Sequence, residues 1–315
     1  MKLALSTNWN ARRHEFGEGL VDDALELGFD ALELGYDTTE QQADGVRRRI
    51  EEGKIEVGSV HAFCPVPFNA PHGYPELHLL ASEDEDERAM AALLLKKTLS
   101  FAQRMDAKAV VLHAGRVYLR SFWGDLGSNI LVDRFDVEGK LEAKRYQRYL
   151  KAALRRRARR AKKIMSHFCA ALEPILPLFE KAGVQLCLEN LPSIEAYPDE
   201  EEIAVLMERF KGSPLRYWHD IGHGQIRANM GWSGDHLETV RKLLPIIGGI
   251  HIHDCVPPAN DAHIAAGEGE TDFAQFAFFG EADILRVFEP SPRVSWESLQ
   301  KSVALIRKLW IPPQG

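Results

Sequence analysis

The sequence predicts an α/β fold of eight strand–helix units closed into a (β/α)8 barrel. Three observations predict it. Short β-rich runs alternate with segments of helical period along the chain, eight such units can be counted, and His, Asp and Glu recur where the runs end. Alternation of this kind implies parallel strands joined by crossover helices. Eight units in one chain suit a closed barrel better than two open sheets.

In order, the strand runs are Leu3–Ser6, Ala31–Leu34, Glu56–His61, Ala109–His113, Gln185–Glu189, Arg216–Asp220, Gly249–His253 and Leu285–Glu289. Helical patterns follow them near Leu20–Leu27, Gln41–Glu52, Arg88–Arg104, Leu141–Lys181, Glu200–Phe210, His236–Leu243, Phe273–Phe279 and Trp296–Leu309. Gly28 and Gly183 fit helix ends, where glycine stops one element before the next strand begins. Pro174 and Pro177 break or kink the long segment near its end, because proline removes a helix donor. No linker-like stretch divides the chain, so residues 1–315 read as one domain.

Spacing is uneven only around the fourth unit, where residues 116–166 read as an insertion. A loop with Tyr118, Phe122, Trp123, Gly124 and Gly127 runs into a long basic helix that carries Arg145, Arg148, Arg155, Arg156, Arg157, Arg159, Arg160, Lys162 and Lys163. Tyr146, Leu150, Leu154, Ala158, Ala161, Met165 and Phe168 recur at helical spacing, which predicts one packed face and one cationic, solvated face. The aromatic loop is a candidate lid or homo-oligomer interface.

The 315 residues hold 39 Lys plus Arg against 46 Asp plus Glu, a formal charge of −7. That balance argues against nucleic acid as a partner, although it leaves room for a local basic patch. Hydrophobic residues at 45% and charged residues at 27% exclude disordered, collagenous and disulfide-scaffold classes. No apolar run approaches the ~20 residues that span a bilayer. Cys64, Cys169, Cys187 and Cys255 are scattered without a C-x-x-C pair, as in a reducing compartment, and the expected location is cytoplasmic. Cys187 and Cys255 adjoin strand-end positions and read as core packing.

The chemistry stands at the strand ends. His61, His113, Glu189, Asp220, His251 and Glu289 stand at or near the ends of six successive runs, with His223 one helical turn past Asp220 and His253 two residues past His251. In a (β/α)8 barrel the carboxyl ends of all strands open on one mouth. Carboxylates and imidazoles crowded there lose charge or repel unless a cation sits among them. Mixed His and Asp/Glu ligation without thiolate points to Mn²⁺, Mg²⁺, Co²⁺, Zn²⁺ or Fe²⁺. His219, adjacent to Asp220, is expected to face away. Asp261 and His263 alternate on an extended loop and can both face the mouth beside His223. Gly267-Glu268-Gly269 lets backbone approach a ligand closely.

These residues resemble the xylose-isomerase-like TIM barrels, which include sugar phosphate isomerases/epimerases and family 2, endonuclease-IV-type, AP endonucleases. The likeness is carried by Leu188-Glu189-Asn190, Asp220-x-x-His223, His251-Ile252-His253-Asp254 and Asp261-x-His263 followed by Gly267-Glu268-Gly269. It covers nearly the whole chain outside the insertion. The resemblance implies one divalent metal on Glu189, Asp220, His251 and Glu289, with His223 touching substrate. The endonuclease branch implies further ions, on His61 and His113 beside Glu189 and on His223, Asp261 and His263. This chain departs from that branch: Asp220-Ile221-Gly222-His223 stands for D-T-C-H, His251-Ile252-His253-Asp254-Cys255 lacks H-x-N-D-[AS]-K, and His61-Ala62-Phe63 lacks H-x-Y. These departures favour the isomerase/epimerase side.

The expected activity is therefore metal-dependent isomerisation or epimerisation of a sugar or sugar phosphate. Glu189 and Glu289 would pass a proton through an enediolate, and His223, His253 and Glu33 would contact substrate. A multinuclear zinc phosphoesterase is the alternative. Phe63, Phe68, Phe122, Trp123 and Trp232 are candidate pocket walls.

Overall fold

A computed structural model describes residues 1–68, 70–120 and 124–311. Eight parallel strands close into a barrel: β1 Ala4–Ser6, β2 Ala31–Leu34, β3 Glu56–His61, β4 Ala109–Leu112, β5 Gln185–Glu189, β6 Leu215–Asp220, β7 Ile247–Ile252 and β8 Leu285–Phe288. Neighbours in the barrel are neighbours in sequence, and β1 closes it by pairing with both β2 and β8. All eight expected strands are present, three with the expected bounds and five with an end shifted by one or two residues.

Alternation decides which side chains face inward. Ala4, Ala31, Ala109, Val111, Cys187, Trp218 and Val287 form a dry cluster inside the barrel. Trp218 fills most of that space, so its neighbours are small. Gly249 is required beside it, because a Cβ there would overlap the indole ring. Residues two positions on share the same face. Ala31, Val111, Cys187, Trp218, Gly249 and Val287 therefore predict inward Glu33, His113, Glu189, Asp220, His251 and Glu289. Cys187 is core, as expected, and it shares the inner face with Glu189 two residues along.

The outer layer holds α1 Gly17–Glu26, α2 Glu40–Glu51, α3 Glu85–Arg104, α4 Ser128–Glu138, α5 Lys144–Leu172, α6 Leu176–Ala182, α7 Glu200–Arg209, α8 Ile221–Asn229, α9 His236–Leu243 and α10 Trp296–Trp310. Capping boxes start α2 at Thr39 with Gln42 and α7 at Asp199 with Glu202. The expected Phe273–Phe279 helix is 3₁₀, over Phe273–Gly280. Two helices were not anticipated: α4, inside the insertion read as loop, and α8, which is too short for a clear apolar period. The long pattern divides as Pro174 and Pro177 require, with α5 ending at Leu172 and Pro177 in the first turn of α6. Among the described residues, no helix is long and apolar enough to cross a membrane.

The basic helix corrects the sequence reading in one respect. Its buried face runs through Tyr146, Leu150, Ala153, Arg157, Ala161, Ile164 and Phe168, so Leu154 and Ala158 are exposed and Arg157 is not. Arg157 pairs with Asp199 at 2.5 Å and Glu202 at 2.8 Å, and donates to the carbonyls of Ile194 and Ala196. Arg227 does the same with Glu200 and the Ser193 carbonyl. These two buried guanidinium groups tie down the segment that follows β5.

Candidate metal centre

The strand ends meet at the carboxyl mouth in three adjoining groups. Glu189, Asp220, His251 and Glu289 form one, His61, His113 and Glu189 a second, and His223, His253, Asp261 and His263 a third; within each, the donor atoms lie within 4.8 Å of one another. Glu189 belongs to two groups. Its Oε2 lies 3.1 Å from Nε2 of both His61 and His113, while Oε1 lies 2.9 Å from His251 Nδ1.

Most of these imidazoles are held from behind by a backbone carbonyl. Nδ1 of His61 donates to Ala62 O at 3.1 Å, that of His223 to Asn190 O at 2.8 Å, that of His253 to Asp254 O at 3.2 Å and that of His263 to Glu289 O at 2.8 Å. Each bond fixes the tautomer and presents Nε2 to the centre, as for a metal-ligating histidine. His251 is reversed. Its Nε2 lies 3.2 and 3.3 Å from the two oxygens of Glu33, so Nδ1 faces Glu189, Glu289 and Asp220. His113 Nδ1 is buried without a partner among the described residues.

Asp220 serves two elements. Oδ1 caps α8 by accepting from His223 N at 2.7 Å, and Oδ2 lies 2.8 Å from His253 Nε2. The Asp-x-x-His spacing is thus a helix N-cap that places His223 in the first turn. Asn190 pins the pair of strands, accepting from Asp220 N at 2.7 Å and donating to Asp220 O at 3.0 Å. Asn8, beyond β1, donates to Glu289 Oε1 at 3.1 Å.

The electrostatics match a cation site. Glu33, Glu189, Asp220, Asp261 and Glu289 pair only with imidazoles, never with lysine or arginine, among the described residues. Burial alone would raise the Glu189 carboxyl, but His251 and His113 hold it well below its ordinary range. Burial pulls His223 down, and Asp220 and Asp261 outweigh it and push it up to about 9. His263 goes up to about 10, where Asp261 overcomes the same burial. Imidazolium is standing where positive charge is needed, and a divalent cation supplies that charge with less crowding. Oxygen and nitrogen donors without thiolate fit Mn²⁺, Mg²⁺, Co²⁺ or Zn²⁺.

A cavity of about 180 Å³ opens above the centre, walled by Tyr36, His61, Tyr74, Pro75, Glu76, His113, Arg116, Leu191, Pro192, His223, Asp261, His263 and Glu289. Several expectations change here. Glu33 is fully buried behind His251, and His253 is covered by the stacked ring of His263 at 3.7 Å, so neither lines the cavity. Gly267-Glu268-Gly269 does approach a carboxylate closely, but that carboxylate is Asp254: Gly267 N and Gly269 N donate to its Oδ2 at 3.2 and 2.9 Å. Phe63, Phe68 and Trp232 do not line this cavity; Phe63 and Phe68 line a separate one of about 820 Å³ with Cys64, Leu94 and Phe101. Phe122 and Trp123 lie outside the described residues. His219 faces away as expected, bonded to Tyr217 and His236. Tyr36, Tyr74, Glu76, Arg116 and Asn8 carry no signal in the sequence: the first three sit on irregular loops, Arg116 on a two-residue ribbon and Asn8 in a single 3₁₀ turn, none with a period or motif.

A family model described as xylose isomerase-like TIM barrel matches residues 21–279. The chain belongs to that family. The uncharacterized protein MJ1614 of Methanocaldococcus jannaschii is 25% identical to this chain over 265 residues, 81% of this chain and 80% of that one. A D-tagatose 3-epimerase-like protein superposes with a TM-score of 0.67 at 20% identity, covering 98% and 97% of the two chains. The 3-keto-D-glucoside 4-epimerase YcjR of E. coli superposes at 0.68 with 15% identity, covering 98% and 99%. At such identities the solved structures speak for the fold. Among xylose isomerase-like barrels, therefore, it is the centre itself that must argue the chemistry.

Proposed function

We propose that this protein is a divalent-metal-dependent isomerase or epimerase of a sugar or sugar phosphate, acting as one cytoplasmic domain over residues 1–315 with 116–166 inserted. The observation that carries it is the convergence of Glu189, Asp220, His251 and Glu289 beneath a small polar cavity. A 3-keto-D-glucoside 4-epimerase and a D-tagatose 3-epimerase-like protein share the fold, which supports the reading. Four unpaired, buried cysteines suit the compartment.

A bound cation would polarise a substrate carbonyl and its neighbouring hydroxyl and stabilise negative charge on oxygen. The residues do the rest. Glu289 lines the cavity, and Asn8 holds its Oε1, so it is placed to take the proton beside the carbonyl. Glu189 lies deeper, with Oε2 shared by His61 and His113. Substrate reaches it only by displacing those contacts, which makes the pair asymmetric, with Glu289 the first base and Glu189 returning the proton. His223, fixed through Nδ1, offers Nε2 to a substrate hydroxyl. The enclosing size suits a monosaccharide, since cavities for drug-sized ligands run from ~300 Å³ upward.

The test is solvent-deuterium incorporation into a panel of ketoses by the metal-loaded protein, with metal content measured in parallel. Exchange that disappears in Glu289→Gln is expected. A protein that exchanges no ketose yet cleaves phosphodiesters is not this enzyme. One observation favours a second reading, a multinuclear phosphoesterase: the two further ligand groups, one sharing Glu189 with the first. Three tightly held zinc ions and cleavage of an abasic duplex would select it.

A further inference from the structure

We propose that Glu76 and Arg116 form a net-neutral pair that selects the uncharged, polyhydroxyl end of a substrate and disfavours a phosphorylated one; this rests on the isomerase reading above. Both residues line the cavity, together with Tyr74, Glu289 and the imidazoles. Arg116 Nε donates to Glu76 at 2.8 and 2.9 Å, and its terminal nitrogens have no protein partner among the described residues.

The pair is built into the fold. Arg116 lies on a two-residue ribbon, Gly115–Arg116, that pairs antiparallel with Ala196–Tyr197. Gly115, at φ 152°, lets that ribbon pack on Ala81. Gly73 lets the loop carrying Tyr74 and Glu76 lie on the Tyr36 backbone, where no Cβ would fit. Further along, Glu87 accepts from Leu79 N at 2.9 Å. Two separately anchored segments thus bring one guanidinium and one carboxylate together at the cavity wall.

Their charges decide the ligand class. Among the described residues, Arg116 is the one lysine or arginine lining the cavity, and Glu76 cancels it. A phosphate oxygen beside the guanidinium is attracted by it and repelled by the adjoining Glu76 carboxylate, so most of the gain is cancelled. The remainder is small beside the cost of desolvating a dianion. Hydroxyl groups fare differently. The guanidinium's free N–H donors and the carboxylate's spare lone pairs are both used by adjacent hydroxyls, each of which donates and accepts.

The test measures equilibrium binding of a matched ketose and its terminal phosphate to the manganese-loaded protein by calorimetry, with turnover recorded separately. The parent should bind the free ketose more tightly. Glu76→Gln, which keeps shape and hydrogen bond while removing the opposing charge, should shift the ratio at least 10-fold toward the phosphate. Arg116→Met should weaken the free ketose at least 10-fold, with unchanged melting temperatures confirming the fold of both. A parent that prefers the phosphate, or a ratio unmoved by Glu76→Gln, overturns the proposal even if isomerisation is observed. Pair-dependent ketose binding without any isomerisation leaves the selectivity standing and removes the enzymatic reading; binding of neither ligand removes both.

Discussion

Glu33→Gln tests the centre from behind its ligands. Glu33 never reaches the cavity; it accepts from Ser59 Oγ at 2.8 Å and faces His251 Nε2 at 3.2 and 3.3 Å. Its charge keeps the proton on Nε2 and leaves Nδ1 free to hold a cation with Glu189, Asp220 and Glu289. Gln preserves volume, so no cavity opens. It replaces a charge-assisted bond of ~1.5–3 kcal/mol with a neutral one of ~1 kcal/mol. That difference corresponds to about 10-fold in metal affinity, the lower end of the ~10–100-fold effect of groups that orient metal ligands. An amide turned with its NH2 toward Nε2 would move the proton to Nδ1 and cost more. Titration calorimetry with Mn²⁺ at pH 7.5 measures the change directly. Equal affinity in the variant and the parent would refute both the orientation assigned to His251 and its role as a ligand.

Three further outcomes follow from the packing and the charges. Gly222→Ala should disturb the third ligand group, because a Cβ at 222 would overlap the His253 ring; loss of any second bound ion with the first retained, read by elemental analysis, is expected, and unchanged stoichiometry in a protein that binds several ions argues against that group. Arg157→Met leaves Asp199 and Glu202 half-buried without their cation and should lower stability by ~3 kcal/mol, read as a urea midpoint; a loss under ~1 kcal/mol would show the clamp to be incidental. For the metal-free protein, His223 at about 9 and His263 at about 10 bind protons that the unfolded chain releases near pH 6.5. Their stabilisation is complete below ~6.5 and is lost as pH rises through 9 to 10, so the chelated protein should have a lower urea midpoint at pH 9.5 than at 6.5, and saturating metal should reduce that loss.

Much of the architecture was legible in the chain. All eight strands were readable because each is a short β-rich run, bounded by longer helical patterns, and those two periods differ enough to be told apart. The ring of His, Asp and Glu was legible for a related reason: in a parallel barrel every strand ends at the same mouth, so position within a run translates into place in space. Helix α8 was missed because nine residues with mixed polarity carry no clear period, although Asp220 and His223 stood at cap spacing. The buried face of α5 differs from the expected one by a single residue at Ala153, Arg157 and Ile164, about a quarter turn, since Arg157 is charged and the pull of Asp199 and Glu202 lies 42 to 45 residues downstream.

By itself, then, the order of residues determined the barrel and the inward set of donors at its mouth, because these depend on local period and on strand ends. Only the tertiary structure decided which groups face a substrate. Glu33 and His253 have the right chemistry and lie behind other rings, whereas Tyr74 and Glu76 come from a loop and Arg116 from a two-residue ribbon, whose courses are set by distant contacts. The physical reason is range. Hydrogen bonding along a helix or strand is written within a few neighbouring residues, but a cavity wall is made where segments far apart in the chain are packed against each other, and no local pattern records that meeting.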